Sequence, residues 1–229
     1  MDLLDWHQIT HEHRPIFGQV LVVYASLRYE NELDFIDLLS EQEKNRASRL
    51  VNRTVANQQV IARGILRLVL GKMLNILPDA LKFDNDHHHK PCLIYPAGTG
   101  INFNLSHSGD LLLFAFTKGR QIGIDVEWMD QNRDFSVIAP LVFSPEEQGL
   151  LSDSITPVQE FYAIWTAKEA VLKATGHGFT FPPYKLTIKT RDGTRAKGLL
   201  AELGCGGSFE LTSFYPEKGY SAAVAVIVG

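Results

Sequence analysis

Cysteine is nearly absent from these 229 residues: Cys92 and Cys205 are the whole supply, and neither stands in a C-x-x-C or Cys/His zinc spacing. That excludes a disulfide-stapled scaffold, and two isolated thiols read as the reduced cysteines of a cytoplasmic protein. Long apolar runs are missing as well. No stretch reaches the ~18 residues that span a bilayer, and Met1 to His7 lacks the basic-then-apolar pattern of an export signal, so no membrane association is expected. Neither sign of charge dominates. With 22 basic against 26 acidic residues the formal net charge is −4, which argues against nucleic acid as a partner while leaving room for a local cationic pocket. At 45% hydrophobic and 21% charged residues the chain is neither disordered nor collagenous. These exclusions leave a globular enzyme or binding protein, long enough for one large domain or two fused halves.

Helix-start signals mark the organisation. Ser40-Glu41-Gln42-Glu43 is a capping box and predicts a helix to about Leu50, followed by a second helix from about Thr54 to Leu74. Strand-like segments come next, at Leu81-Phe83, Ile101-Leu105, Leu111-Phe116 and Gln121-Trp128, separated by glycine-bearing turns. The order then recurs. Ser144-Pro145-Glu146-Glu147 is a second box, and Thr156-Pro157-Val158-Gln159 a third that opens a helix ending at Gly176. Strands are predicted again at Tyr184-Lys189, Gly198-Leu203, Phe209-Ser213 and Ala222-Val228.

Three pairs align at a nearly constant offset: Ser40 with Ser144, Arg63 with Glu169, and Phe103-Asn104-Leu105-Ser106 with Phe209-Glu210-Leu211-Thr212. Such an offset predicts an α+β fold of two similar halves about a pseudo-twofold axis, residues 1–118 and 119–229, with the ligand cleft between them.

Chemistry concentrates in a few segments. Gln121-Ile122-Gly123-Ile124-Asp125-Val126-Glu127 alternates as a half-buried strand and puts Asp125 and Glu127 on one face, about 7 Å apart along the backbone. Two such carboxylates either form a solvated acidic face or hold a hard cation such as Mg²⁺ shared with substrate phosphates. On the helix after Pro157, Phe161, Ile164, Ala167, Val171 and Ala174 form the core stripe, with Glu169 and Lys173 on the opposite face. Those two read as an exposed ion pair, or as a cleft pair in which Glu169 completes the metal site and acts as base while Lys173 meets a phosphate. Trp165 reads as packing. His107, placed just after a strand and between Ser106 and Ser108 in a turn, either donates to a phosphate oxygen or bonds a nearby carbonyl. The tract Asp84-Asn85-Asp86-His87-His88-His89 reads as a solvated loop, because adjacent loop side chains rarely converge on one ion.

Taken in order, Lys90-Pro91, Phe103-Asn104-Leu105-Ser106-His107-Ser108, Gly123-Ile124-Asp125-Val126-Glu127 and Trp165-Thr166-Ala167-Lys168-Glu169-Ala170-Val171-Leu172-Lys173 resemble the 4′-phosphopantetheinyl transferases of the larger, Sfp-type branch. The resemblance runs from about Ser40 to Gly178, and the W-T-x-K-E-A-x-x-K and G-I-D-x-E strings are its most specific parts.

The resemblance implies a pseudo-dimer with coenzyme A between its halves. It implies transfer of phosphopantetheine to a serine of an apo acyl or peptidyl carrier protein, with release of 3′,5′-ADP. By motif, Asp125, Glu127 and Glu169 would hold Mg²⁺, Glu169 would also take the serine proton, and Lys173 would steady the pyrophosphate. Lys90 and His107 would meet the nucleotide, His107 at its 3′-phosphate. Arg46 and Arg63, in the first-half helices from which the family supplies basic residues, are candidates for that phosphate, or else a solvated face and a structural ion pair respectively. His89 stands where the family usually has glycine before Lys-Pro, which affects the placement of Lys90. An internal pseudo-dimer needs no partner subunit, so a monomer is expected. The rival readings are a coenzyme A or nucleotide-binding module without transfer activity, and a metal-dependent phosphohydrolase.

Overall fold

Where a side chain closes a helix end, the sequence signal is obeyed. In the computed structural model, which describes residues 1–86, 90–188, 195–199 and 207–228, the Ser40 hydroxyl accepts from the Glu43 amide while the Glu43 carboxylate accepts from the Ser40 amide. This box opens α1 (Glu41–Ser48). The long α2 (Arg53–Leu74) follows, capped by Asn52 and closed by Asn75 in the left-handed conformation at φ 54°. After the short α3 (Ala139–Val142), Ser144 and Glu147 repeat the box ahead of α4 (Pro145–Asp153). The third predicted box does not form: Thr156 makes no side-chain cap, and α5 (Pro157–Thr175) relies on Pro157 at its first position and on Gly176 at φ 79° as its stop.

Two four-stranded sheets carry these helices. The first contains β1 (Asp2–Asp5), β2 (Val20–Ser26), β5 (Ile101–Ser108) and β6 (Leu111–Lys118) in the order β1-β2-β6-β5. The second contains β7 (Ile122–Trp128), β8 (Arg195–Leu199), β9 (Ser208–Phe214) and β10 (Tyr220–Val228) in the order β7-β10-β9-β8. A hairpin of β3 (Lys82–Asn85) and β4 (Pro91–Tyr95) stands apart.

Three apolar layers hold the stack together. Val60, Ile65, Leu66 and Val69 of α2 pack on Leu21, Val23, Phe114 and Phe116 of the first sheet. Ala167, Ala170, Val171 and Ala174 of α5 pack on Ala223, Ala225 and Leu211 of the second. Between the sheets, Val22, Leu113 and Ala115 meet Ile122, Ile124, Val126 and Val224. The result is helix on sheet on sheet on helix, an α+β fold of two similar halves.

Some elements depart from the sequence reading. Strand β2 was not anticipated, because Val20-Leu21-Val22-Val23 is covered on both faces and so shows no alternation. The predicted strand at Tyr184-Lys189 is instead a 3₁₀ turn, Pro183–Lys185. Pro182 and Pro183 fix φ there, and their carbonyls accept from the Lys185 and Leu186 amides. The predicted Gly198-Leu203 strand survives as far as Leu199 in β8, and residues 200–203 lie outside the described residues, as do His87 to His89. Among the described residues no helix is long and apolar enough to cross a membrane.

Gly123 sets how closely the second half closes. A Cβ on it would run into the Ala170 carbonyl oxygen and the Ala174 nitrogen, so strand and helix backbones touch. Gly123→Ala should therefore lower stability by about 1–3 kcal/mol, the usual cost of overpacking. Urea unfolding measures it directly, and a variant as stable as wild type would show that α5 can move away freely.

Candidate active site

The close approach at Gly123 turns the same face of β7, with Asp125 and Glu127, toward α5. Asp125 is 4% exposed, and its Oδ1 accepts from Lys173 Nζ at 2.7 Å and from Ser106 Oγ at 2.9 Å. Lys173 also donates to Ser106 Oγ at 3.0 Å. The other oxygen of Asp125, Oδ2, is buried with no hydrogen-bond partner. Glu127 accepts from Ser108 Oγ at 2.9 Å and from Trp165 Nε1 at 3.3 Å. Glu169 is 7% exposed and lies in the field of both other acids.

Of the two sequence readings of Glu169 and Lys173, the outward-facing ion pair is not what α5 shows. Glu169 is buried, and Lys173 pairs with Asp125 across the strand–helix contact. Trp165 contributes a hydrogen bond to the cluster as well as packing.

Burial and mutual repulsion govern the acids. Burial pushes the Asp125 carboxyl up, against the pull of Lys173 and Ser106. Burial and then Asp125 raise Glu127. Glu169 is pushed up to about 7, first by burial and then by Asp125, with Lys173 opposing. Among the described residues no three His, Cys, Asp or Glu side chains already stand as a metal-binding group. The donor chemistry nevertheless fits a hard divalent cation: three oxygen acids, all raised by burial and two of them further by their acidic neighbours, with an orphaned Asp125 Oδ2 among them.

A raised carboxyl makes stability depend on pH. Between the ordinary glutamate value near 4.5 and about 7, the folded state holds a proton on Glu169 that the unfolded chain has released. Stability from this group is thus present at low pH and lost as pH rises through 7. Without added divalent cation, the melting-temperature difference between wild type and Glu169→Gln should shift against wild type from pH 5 to pH 8. Parallel pH profiles of the two proteins would contradict this.

The first half meets this cluster along the free edge of β7. Asn104, Ser106 and Ser108 alternate onto one face of β5. The Asn104 Oδ1 accepts from the Ile124 amide at 2.9 Å, and Ser108 Oγ accepts from the Trp128 amide at 3.0 Å. Lys90 adds a tie, donating to the Ile122 carbonyl at 2.5 Å, and burial lowers its pKa to about 8. These hydroxyls and the amide were missed as site groups, although their i, i+2, i+4 spacing was a legible signal. His107 lies within β5 rather than in a turn after it, because pairing with β6 continues to Ser108 opposite Leu111.

Alternation places His107 on the other face of β5 from Ser106 and Ser108. There it lines a cavity of about 430 Å³ with Arg63, Val55, Pro91 and Phe103. Desolvation against that wall, with Lys173 adding to it, lowers the His107 pKa. Arg63 also faces a second cavity of about 620 Å³ shared with Arg46 and Lys82. Its Nε lies 3.8 Å from Glu43 Oε1, its guanidinium covers the Phe83 ring at 5.7 Å, and its buried Nη1 has no partner. The structure thus gathers Asp125, Glu127, Glu169 and Lys173 in one cluster, sets His107 and Arg63 on an adjoining cavity, and puts Arg46 further out.

Comparison with known proteins gives one answer across most of the chain. Residues 121–225 match the 4′-phosphopantetheinyl transferase superfamily, and residues 29–118 match the family described as 4′-phosphopantetheinyl transferase, N-terminal. The 4′-phosphopantetheinyl transferase HetI of Nostoc sp. is 35% identical over 198 residues, covering 84% of this chain and 80% of the relative. The 4′-phosphopantetheinyl transferase Sfp of Bacillus subtilis is 28% identical over 163 residues, 70% of each chain. The mouse L-aminoadipate-semialdehyde dehydrogenase-phosphopantetheinyl transferase is 28% identical over 162 residues, 65% of this chain and 52% of the relative.

Proposed function

The chain belongs to the 4′-phosphopantetheinyl transferase family, and from that premise we propose that it moves 4′-phosphopantetheine from coenzyme A to a serine hydroxyl of an apo acyl or peptidyl carrier protein, releasing 3′,5′-ADP. The observation that carries this reading is the buried Glu169, raised to about 7 beside Asp125 and Lys173. A base with a pKa near the working pH accepts a proton most effectively, and an ammonium beside it suits a reaction that moves negative charge onto a leaving phosphate.

Transfer makes one bond to phosphorus and breaks another. The serine oxygen bonds to the phosphorus that carries pantetheine, and its proton passes to Glu169, directly or through water. The bond from that phosphorus to the bridging oxygen breaks, and the electron pair leaves on the ADP phosphate. Lys173, held by Asp125 and Ser106, supplies positive charge at the pyrophosphate. Asp125, Glu127 and Glu169 are the residues that would hold Mg²⁺, which when bound neutralises pyrophosphate charge.

His107 and Arg63 anchor the 3′-phosphate end, supported by the cavity they share. Arg46 adds positive field from the neighbouring cavity. Lys90, engaged by the Ile122 carbonyl, contributes positive charge at the junction of the halves. We take residues 1–118 and 119–229 as those halves, acting as a cytoplasmic monomer with neither nucleic acid nor membrane as partner. The apolar layer shared by both sheets supports completion of the site within one chain.

Incubation with coenzyme A and magnesium, with and without apo carrier, tests the reaction class. ADP release only when carrier is present is expected. Steady turnover without carrier would make the protein a phosphohydrolase, and binding without turnover in either arm would make it a binding module.

A further inference from the structure

The most deeply buried charges in the second half lie outside the carboxylate cluster. Lys168, adjacent to Glu169 in α5, is 1% exposed, and its ammonium bonds Glu147 Oε2 at 2.6 Å, the Pro183 carbonyl at 2.9 Å and the Leu186 carbonyl. Glu147 is fully buried and is itself the capping-box acid of α4. It accepts from the Ser144 amide at 2.8 Å and, on its other oxygen, from the Ile188 amide at 2.8 Å. Lys168 has three donors, and all three are matched.

The first half builds the same device. Arg67 of α2 is 2% exposed and bonds Glu43 Oε2, the capping-box acid of α1, at 2.6 Å. Its Nη1 donates to the Pro78 carbonyl at 2.8 Å and to the Leu81 carbonyl at 2.9 Å. Pro78 and Pro183 each begin a 3₁₀ turn, and Leu81 and Leu186 each follow one. The register of the repeat thus pairs Arg67 with Lys168, which corrects the sequence pairing of Arg63 with Glu169.

We propose that Lys168 is a positioning residue for transfer, fixing the register of α5 and so the place of Glu169. The proposal rests on the function set out above. Its physical basis is the inner face of α5, where Ala167, Ala170 and Ala174 meet Ala223 and Ala225 of the sheet. Apart from Val171, Leu172, Phe209 and Leu211, that contact is methyl against methyl, which interlocks weakly along the helix axis, and Gly123 limits approach without preventing sliding. Trp165 on Glu127 and Lys173 on Asp125 and Ser106 hold α5 on its site side. Lys168 adds the constraint on the other side, tying α5 to the start of α4 and to the turn at Pro183. Because the helix rises ~1.5 Å per residue, even a fraction of one step moves the base by an amount that costs about a hundredfold in rate.

The test compares kcat, KM for coenzyme A and melting temperature in Lys168→Met, Lys168→Arg and Arg67→Met, after wild type has been shown to modify a carrier. Lys168→Met should lower kcat about 10- to 100-fold with KM for coenzyme A within about threefold. Lys168→Arg should recover most of it, since the first half shows an arginine making this set of bonds. Arg67→Met, the matched loss of a clamp away from Glu169, should melt lower while kcat stays within about threefold. Equal kcat losses in Lys168→Met and Arg67→Met, or an unchanged kcat in Lys168→Met, would overturn the proposal and leave the clamp purely structural. Should Lys168→Met fail to fold, Glu147→Gln takes its place, with a lowered kcat expected and an unchanged one overturning the proposal. A wild-type protein that modifies no carrier would instead count against the proposed function.

Discussion

Replacing Asp125 by asparagine is expected to lower transfer by about a hundred- to a thousandfold while leaving the protein folded. The magnitude is that of removing one preorganised electrostatic group from a water-poor site. An asparagine at this position would keep the oxygen that accepts from Ser106 and Lys173, and its volume is almost that of aspartate. The change removes a charge that burial disfavours, which offsets part of the loss of the Lys173 ion pair, so the protein should stay folded with a modestly lower melting temperature. The loss should be partly offset by raising magnesium, if Asp125 holds that ion. Full activity at low magnesium would take Asp125 out of the chemistry, and a collapsed melt would make its role structural.

Glu169→Gln should be costlier still, on the order of a hundred- to ten-thousandfold in kcat, the range for loss of a general base. It should also erase the rise of kcat/KM with pH through the acid range, because glutamine has no proton to lose. Coenzyme A affinity should change far less, since glutamine keeps the size of the side chain. A variant that retains the wild-type pH profile would place the base elsewhere.

Much of this site could be read before any fold was known. The alternation of β7 put Asp125 and Glu127 on one strand face, and the i, i+4 spacing put Glu169 and Lys173 on one face of α5, although Lys173 pairs with Asp125 rather than with Glu169. Periodicity could not show burial. Glu169 and Lys173 lie off the apolar stripe of α5, yet Glu169 is buried and Lys173 bonds Asp125 of β7 and Ser106 of the first half, so a pattern that reads as solvated is a cleft. Strand β2 was illegible for the opposite reason, being apolar on both faces. The Pro182-Pro183 turn mimics a strand in composition, but its leucine and isoleucine are anchored by the buried pair of Lys168 and Glu147 rather than by a ladder. Capping boxes were read well because their chemistry is local. The failed one, at Thr156, lacks the side-chain bond that defines such a cap.

Intact-mass spectrometry of carrier proteins tests the central claim most directly. Purified protein with magnesium and coenzyme A should add one phosphopantetheine to the recognition serine of at least one apo carrier from a panel of acyl and peptidyl types. An established transferase run in parallel fixes which carriers are competent. No added mass on any competent carrier, with coenzyme A binding demonstrated in the same samples, would contradict the account.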